Sequence, residues 1–348
     1  MDIRYRHIKK IKAEDTIDLN NSLLIIGPAD NNNLSGEIIK VTNIEEIESV
    51  FGYSSKLTKA TRYAFLNNVE KIYIYNTYET DKYINVASHF KHYRFNYIVP
   101  IDINIRDEFY NPVSKKMVTY AEFYLDNLSD DSMSTIIMTD KHADLYYNLD
   151  DYILEMESII EKVKRKSVVL GTYDKWTNMI FVCNMLKDID YSNISLATSL
   201  AITEIGKYPK SIKEKPVYDY DAFDIRNKDI CYFKENLLTE DTTVENLVNM
   251  RTTKDVYKAV MVDEIIKYIK RNLDLSEFIG TKMTRFTEIY IANEIRGFMN
   301  NIDGKVIKNY NIKSIDFVLT GPNVGNILIE TEITPKGTFE SLNINLEV

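Results

Sequence analysis

The chain has 348 residues, two cysteines and four histidines, and its 43 basic and 52 acidic side chains give a net charge of −9. This composition excludes a disulfide-stabilised scaffold and a cysteine-rich metal site. The acidic balance argues against a general nucleic-acid-binding protein, which is normally basic. No run of about 18 apolar residues occurs, so we expect no membrane insertion, and the amino-terminal stretch lacks the apolar segment of a secretory signal.

Residues 1–20 are predicted to form an extended N-terminal arm. Residues 1–12 contain five Lys or Arg and one Asp, a charge of +4, so the remaining 336 residues carry −13. The arm also alternates in the two-residue period of a β-strand. The alternating side chains are Ile3, Arg4, Tyr5, Arg6 and His7. The alternative is a solvated terminus without a binding role.

Residues 21–210 are predicted to form an α/β domain, because short apolar runs alternate with amphipathic segments. Such βαβ units build a largely parallel sheet. The predicted strands cover 22–27, 71–76, 95–103, 134–139 and 167–171. The predicted helices cover 43–51, 55–68, 83–92, 113–128, 153–163, 176–187 and 193–203. Asn43 and Glu46 resemble a capping box, and Gly52 would end the first helix.

The lysine-rich stretch 207–216 is the predicted domain boundary, and the pattern changes after it. Residues 211–337 are predicted to form a compact α+β domain, and residues 338–348 a C-terminal arm. The predicted strands of the α+β domain cover 217–225, 229–234, 312–319 and 326–334, and its two long helices cover 254–273 and 284–300. The C-terminal arm is itself a predicted strand, 338–348. In the last strand, apolar side chains share one face. These are Leu342, Ile344, Leu346 and Val348.

A search for catalytic chemistry finds no convincing pattern. Residues 25–36 follow a strand but lack the glycine-rich phosphate motifs, and Pro28 removes a backbone donor. His89 and His92 have helical spacing without a third ligand. Cys183 lies in an apolar run, and we expect the aspartates between 130 and 151, like Asp219 and Asp221, to form solvated faces. The sequence therefore predicts no catalytic, metal or cofactor site and no enzyme activity.

The two termini are the more informative feature. Each predicted terminal strand presents unpaired backbone N–H and C=O groups unless another strand covers it. Pairing with another subunit would be β-augmentation, and a head-to-tail contact of this kind builds rings or helical polymers. The alternative pairs these strands within one chain and gives a monomer. The strand pattern by itself leaves both possibilities open.

Three passages of the sequence together follow the pattern of one protein family. The first covers residues 25–76, from an apolar strand and G-x-A through a V-T segment ending in F-G to a second strand. The second is the pair of helices within 254–300, and the third is the ending EITPKGTFESLNINLEV. The matching residues include Gly27, Ala29, Phe51, Gly52, Phe65 and Pro335. In these passages the sequence resembles the tail sheath proteins of contractile bacteriophage tails and related contractile injection systems.

The resemblance implies a structural subunit that polymerises helically around an inner tail tube and contracts to drive the tube through the host cell envelope. It implies an outer α/β domain, a tube-facing C-terminal domain, and arms that pair between neighbours. Its partners would be other copies of itself, the tube protein, the baseplate and the tail terminator, in a virion tail assembled in the host bacterial cytoplasm. The alternatives are a sheath-like collar, baseplate or terminator protein, or an α/β enzyme with an unrecognised site.

Residues can be assigned to this arrangement as expectations. The donor arm would be formed by Ile3, Arg4, Tyr5, Arg6 and His7, and the receiving strand by Leu342, Ile344, Leu346 and Val348. We expect basic side chains of the C-terminal domain, namely Lys305, Lys308 and Lys313, to face an acidic tube surface. The alternative for these lysines is a solvated loop.

Overall fold

The computed structural model describes residues 22–78, 82–91, 95–128, 134–170, 173–204, 208–218, 230–235, 241–250, 259–278, 284–321 and 324–335. The described residues of 16–203 and 209–260 form one compact unit, called here the N-terminal unit. Those of 204–208 and 261–348 form a second, the C-terminal unit. The residues of both predicted arms, 1–20 and 338–348, lie outside the described residues.

The N-terminal unit is a three-layer α/β structure. Its strands are β1 (Ser22–Gly27), β2 (Ile38–Lys40), β3 (Lys71–Asn76), β4 (Tyr97–Pro100), β5 (Glu108–Asn111), β6 (Lys116–Thr119), β7 (Thr135–Met138), β8 (Met179–Phe181), β9 (Tyr232–Glu235) and β10 (Thr242–Glu245). Its helices are α1 (Ile44–Phe51), α2 (Lys56–Leu66), α3 (Lys82–Asn85), α4 (Tyr120–Asn127), α5 (Leu149–Leu170) and α6 (Ser192–Ala201). Short 3₁₀ turns cover Val86–Lys91, Ala143–Leu145 and Tyr173–Asn178.

Six of these strands form one sheet in the order β2-β3-β1-β4-β7-β8, and only β2 is antiparallel to its neighbour. β1 lies at the centre, where Ile25 pairs with Ile74 on one side and Val99 on the other. Every residue of β1 is buried, as a central parallel strand covered on both faces requires. Leu24 and Ile26 belong to the core that includes α4 and α5, and α2 and α6 also pack on β1. The predicted parallel-rich α/β architecture is confirmed.

Local capping explains where several helices begin and end. Asn43 caps α1 by accepting a hydrogen bond from the Glu45 backbone N–H (2.9 Å), so the predicted capping box with Glu46 is not formed. Thr119 and Glu122 form a complete capping box at the start of α4. Gly52 ends α1 at φ +90°, a backbone conformation that favours glycine. The side chains of Asn43 and Thr119 thereby satisfy free backbone N–H groups in the first turn of their helices.

Three sequence predictions in the N-terminal unit are wrong. Residues 113–119 do not extend the following helix but form the turn and second strand of the β5–β6 hairpin. Residues 167–170 end α5 rather than forming a strand, although their valines favour a strand locally. The sixth strand of the sheet is β8, inside the segment predicted as helix 176–187. Tertiary context overrides local preference at all three sites.

The described residues between 209 and 260 cluster with the N-terminal unit. The sequence predicts a domain boundary at residues 210–211, and this boundary stays a prediction. β9 and β10 pair antiparallel, and Cys231 extends the pairing of the sheet by bridging Val182. Ile212 also bridges Thr242. The β9–β10 strand pair is therefore part of the N-terminal unit.

The C-terminal unit consists of two helices and a long hairpin. Its elements are α7 (Ala259–Asn272), a 3₁₀ turn (Ser276–Phe278), α8 (Arg285–Ile302), β11 (Ile307–Gly321) and β12 (Val324–Pro335). As predicted, two helices precede two strands. The predicted strands 312–319 and 326–334 lie within β11 and β12. Apolar residues of α7, α8 and the start of β11 form its core. They include Ile265, Ile269, Ile291, Ile295, Met299 and Ile307.

Candidate functional site

The β11–β12 hairpin is the clearest candidate for an assembly surface. In the described residues it is a two-stranded antiparallel sheet, so each strand has one edge without a partner strand. One face packs on the helices through half-buried side chains. These are Tyr310, Ile312, Ile315, Ile329 and Ile333. A long hairpin with a packed face and two open edges is a template for strand addition.

Register shifts explain how both Ile312 and Ile315 reach the packed face. Regular alternation would place residues three apart on opposite faces. Ile312 pairs with Thr331 but Ser314 pairs with Glu330, so Lys313 is an extra residue in β11. Such a bulge reverses the alternation and bends the strand. Without it, one of these isoleucines would face solvent.

The three predicted tube-facing lysines lie on exposed positions of this unit. Lys305 lies in the turn after α8, and Lys308 and Lys313 lie on β11. The Lys313 amine contacts Glu332 at 3.5 Å and Glu330 at 4.0 Å across the hairpin. Among the described residues, Lys305 and Lys308 have no such acidic partner. Lys305 and Lys308 therefore remain available to an external partner, whereas Lys313 already has acidic partners.

The other predicted contact residues lie outside the described residues. They are Ile3, Arg4, Tyr5, Arg6 and His7 of the N-terminal arm, and Leu342, Ile344, Leu346 and Val348 of the C-terminal arm. β12 ends at Pro335, which pairs with Ile307, immediately before the C-terminal segment. Their assignment as paired strands stays a prediction.

Five of the six residues named for the sequence resemblance, all except Pro335, lie in β1, α1, α2 and the turns that follow β1 and α1. A Cβ on Gly27 would lie 2.3 Å from Cγ1 of Ile101, and one on Gly52 would lie 2.4 Å from Oδ2 of Asp30. The Ala29 N–H donates to Oδ1 of Asn76 (3.1 Å). Phe51 is fully buried, while Phe65 is partly buried. These positions therefore stabilise the fold, and none of them presents reactive chemistry.

An open pocket of about 420 Å³ lies where parallel α/β sheets commonly bind ligands, at the carboxyl ends of β1, β3 and β4. Each of its three carboxylates already has a partner. Asp102 pairs with Lys56, Asp107 accepts from the Asn104 N–H (2.8 Å), and Glu108 pairs with Lys166 (2.6 Å). Within the described residues, no group of three His, Cys, Asp or Glu could hold a metal ion. The pocket thus offers no recognisable nucleophile or metal site.

The pKa values of Asp140 and of both cysteines are shifted from their ordinary values. Asp140, predicted to be solvated, is buried, and its carboxylate lies 3.2 Å from Arg106. Burial raises the pKa of Asp140, and the Lys141 backbone N–H and Arg106 offset this only partly. Burial also raises the pKa of the Cys183 thiol, and that of Cys231 to about 12. Both cysteines are free and buried, so neither is activated as a nucleophile.

Within the described part of the chain, no helix is long and apolar enough to cross a membrane.

The sequence pattern did not predict the exposed β5–β6 hairpin, because Val113 and Met117 fit a buried helical face. The turn sequence Asn111-Pro112 and the alternation of 116–119 were available signals for a hairpin.

Searches with the sequence find no matching protein-family model and no matching curated protein. Solved structures are similar in fold. The contracted helical sheath of the anti-feeding prophage aligns over 97% of both chains, with a TM-score of 0.60 and 10% identity. The contracted sheath complex of an extracellular contractile injection system, PVC, aligns over 98% of this chain and 97% of that chain, with a TM-score of 0.63 and 12% identity.

A chain of the anti-feeding prophage baseplate, from a six-fold symmetrised structure, aligns over 94% of this chain and 93% of that chain. Its TM-score is 0.62 at 10% identity. These alignments span nearly the full length of both partners in each comparison. The chain therefore has the fold of contractile sheath proteins.

Proposed function

We propose that this protein is a structural subunit of a contractile sheath. Its copies would polymerise helically around an inner tube and contract to drive that tube through a cell envelope. The observation that carries the proposal is the end-to-end similarity to contracted sheath subunits, with a TM-score of 0.63 over 98% of this chain. The open edges of the β11–β12 hairpin support it, since they offer each copy a place to bind a strand of another.

The N-terminal arm would supply the incoming strand, and the C-terminal arm would belong to the receiving edge. Residues 1–12 carry +4, and the hairpin edge and C-terminal arm contain Glu330, Glu332, Glu340 and Glu347. An alternating basic strand that pairs with an acidic edge has its register selected by charge. Exposed ion pairs contribute only ~0.2–1 kcal/mol each, so backbone pairing would supply most of the binding.

The first test is negative-stain electron microscopy of the purified full-length protein, with hollow tubes of regularly packed subunits as the expected result. Deletion of residues 1–12 should abolish tubes while the circular dichroism spectrum and thermal unfolding stay unchanged. The matched control replaces Arg4 and Arg6 by glutamine, which keeps the strand length and should weaken assembly only partly. Tubes from the truncated protein would contradict the arm assignment.

Contact with the tube would use Lys305 and Lys308, which are exposed and lack an acidic partner among the described residues. Charge reversal of both should reduce co-sedimentation with the tube protein and leave self-assembly unchanged. Lys313→Glu is the matched control, because Lys313 already contacts Glu330 and Glu332. Equal tube binding by the double variant and the wild type would reject this assignment.

A second candidate is a sheath-like collar, baseplate or terminator component of the same kind of particle. The similarity to a baseplate chain at a TM-score of 0.62 favours it specifically. Such a component would form one closed ring, whereas a sheath subunit would form long tubes, and the same micrographs separate the two. In either case we infer that the protein resides in a phage tail or a tail-like particle.

A further inference from the structure

An exposed apolar and basic surface lies at the end of the β5–β6 hairpin. We call it the hairpin tip; it consists of Tyr110, Val113, Lys115, Lys116 and Met117. Tyr110 and Met117 face each other across the strands and are 59% and 48% exposed, and Val113 is 91% exposed. Among the described residues, neither lysine has an ion-pair partner.

The hairpin tip is firmly attached to the unit. On the opposite face of the hairpin, Phe109 packs on Tyr120 and Phe123, with ring centroids 4.8 and 5.0 Å apart. Glu108 at the base of β5 pairs with Lys166 near the end of α5 (2.6 Å). The exposed side chains are therefore held on a packed strand pair.

A second exposed surface is apolar and acidic. We call it the acidic loop; it consists of Asp144, Leu145, Tyr147, Asp150 and Asp151. Tyr147 is fully exposed and Leu145 is 70% exposed. The hydroxyl of Tyr218 donates to the carbonyl of Tyr146 (2.8 Å), and the backbone N–H of Asp151 donates to Oδ1 of Asn148 (2.8 Å). These hydrogen bonds fix the loop backbone while the apolar side chains stay in solvent.

The two surfaces lie near opposite ends of α5. Asp150 is in its first turn, and Lys166, which contacts the base of the hairpin, is in its last turns. Sixteen residues of α-helix separate these positions by ~24 Å. The surfaces carry +2 and −3, yet no ion pair joins them among the described residues. Each copy therefore presents two exposed surfaces of opposite charge at separate places on its N-terminal unit.

We propose that the hairpin tip of one copy binds the acidic loop of the next copy. The contact is heterologous, so each copy donates one surface and accepts at the other, and repetition gives a ring or a helix. It adds a lateral contact between N-terminal units to the proposed sheath function, on which it rests. The competing occupant of the loop is segment 219–229, which contains four Asp, one Arg and one Lys. Its net charge of −2 disfavours binding to the loop's three aspartates.

Cysteine cross-linking tests the contact directly. A double variant, Val113→Cys with Tyr147→Cys, should give a ladder of dimers, trimers and larger species under mild oxidation. Each single variant should give no ladder, and a mixture of the two should give a heterodimer. The native Cys183 and Cys231 are buried and should not interfere. Formation of only an intramolecular disulfide, or no cross-link, would overturn the proposal.

Charge reversal provides an independent test. Lys115→Glu with Lys116→Glu should raise the protein concentration needed for polymerisation by about tenfold, a change of ~1.4 kcal/mol per contact. Adding Asp150→Lys and Asp151→Lys should restore assembly. Lys40→Glu with Lys59→Glu is the control with the same change in net charge at exposed positions elsewhere. Assembly unaffected by reversal, or not restored by the compensating pair, would overturn the proposal.

The tests separate this inference from the proposed function. If the wild type forms tubes but the cross-linked ladder is absent, the contact is wrong and the sheath function stands. If the wild type forms no tubes in any condition yet the ladder forms, the heterologous contact is supported and the sheath function fails. Raising the salt concentration should weaken the contact, because screening shortens the range of exposed charges from ~10 Å at 0.1 M to ~3 Å at 1 M.

Discussion

The central sheet of the N-terminal unit and the hairpin of the C-terminal unit differ in how completely their strands are paired. In the sheet, β1 is buried on both faces and has a strand on each side. In the hairpin, one face packs on helices and the described strands have open edges. The pairing of β1 is complete within one chain. The described hairpin strands each keep one edge without a partner strand, which is where the proposed strand addition would occur.

The largest expected effect comes from the core of the sheet. Ile26 is fully buried, and Ile26→Ala should reduce the free energy of unfolding by ~2–5 kcal/mol. Ile333→Ala, in the half-buried face of the hairpin, is the matched comparison and should destabilise the monomer less. Its larger effect should be on tube yield. Chemical denaturation of both variants tests the difference, and equal losses of stability would contradict it.

An intermediate effect is expected at the end of α1. Gly52 has φ +90°, and an added Cβ would lie 2.4 Å from the Asp30 carboxylate. Gly52→Ala should therefore cost ~1–3 kcal/mol of stability. Gly297→Ala on α8 is the control, since nothing lies within 4 Å of its Cβ position. That substitution should stabilise the helix by ~0.5–1 kcal/mol. Thermal unfolding of the two variants should move in opposite directions.

The smallest effect is expected from the cross-strand charges of the hairpin. Lys313 is 45% exposed and contacts Glu330 and Glu332. Lys313→Ala should change monomer stability by only ~0.2–1 kcal/mol, because exposed ion pairs are weak. Lys313→Arg is the conservative control. If Lys313→Ala loses much more stability than this, the bulge itself depends on the lysine side chain.

The sequence predicted the parts of the fold in which local pattern and tertiary role agree. The apolar run of β1, the capped helix α1 and the paired helices α7 and α8 all follow directly from hydrophobic spacing and caps. The β5–β6 hairpin was missed because Val113, Met117, Tyr120 and Tyr124 also fit a helical face. Strand β8 was missed because a three-residue buried strand has no recognisable period.

Fewer features of the candidate site than of the fold could be predicted from the sequence. Lysines on β11 could be selected by charge, but only the structure distinguishes Lys308 from Lys313, which has cross-strand acidic partners. The exposed pairing of Tyr110 with Met117 depends on the register of a hairpin that the pattern did not reveal. Burial of Asp140 beside Arg106 likewise depends on contacts between segments far apart in the chain.

The bulge at Lys313 has a consequence for solubility before assembly. A long strand with a free edge can pair indiscriminately with any extended peptide and aggregate. An irregular strand with a charged residue at the irregularity accepts fewer partners, because a flat incoming strand loses its hydrogen bonds there. Under the proposed strand addition, Lys313, with Glu330 and Glu332 opposite, would act as a gatekeeper. It would favour a strand of matching charge and shape over the many peptides that a newly made subunit encounters.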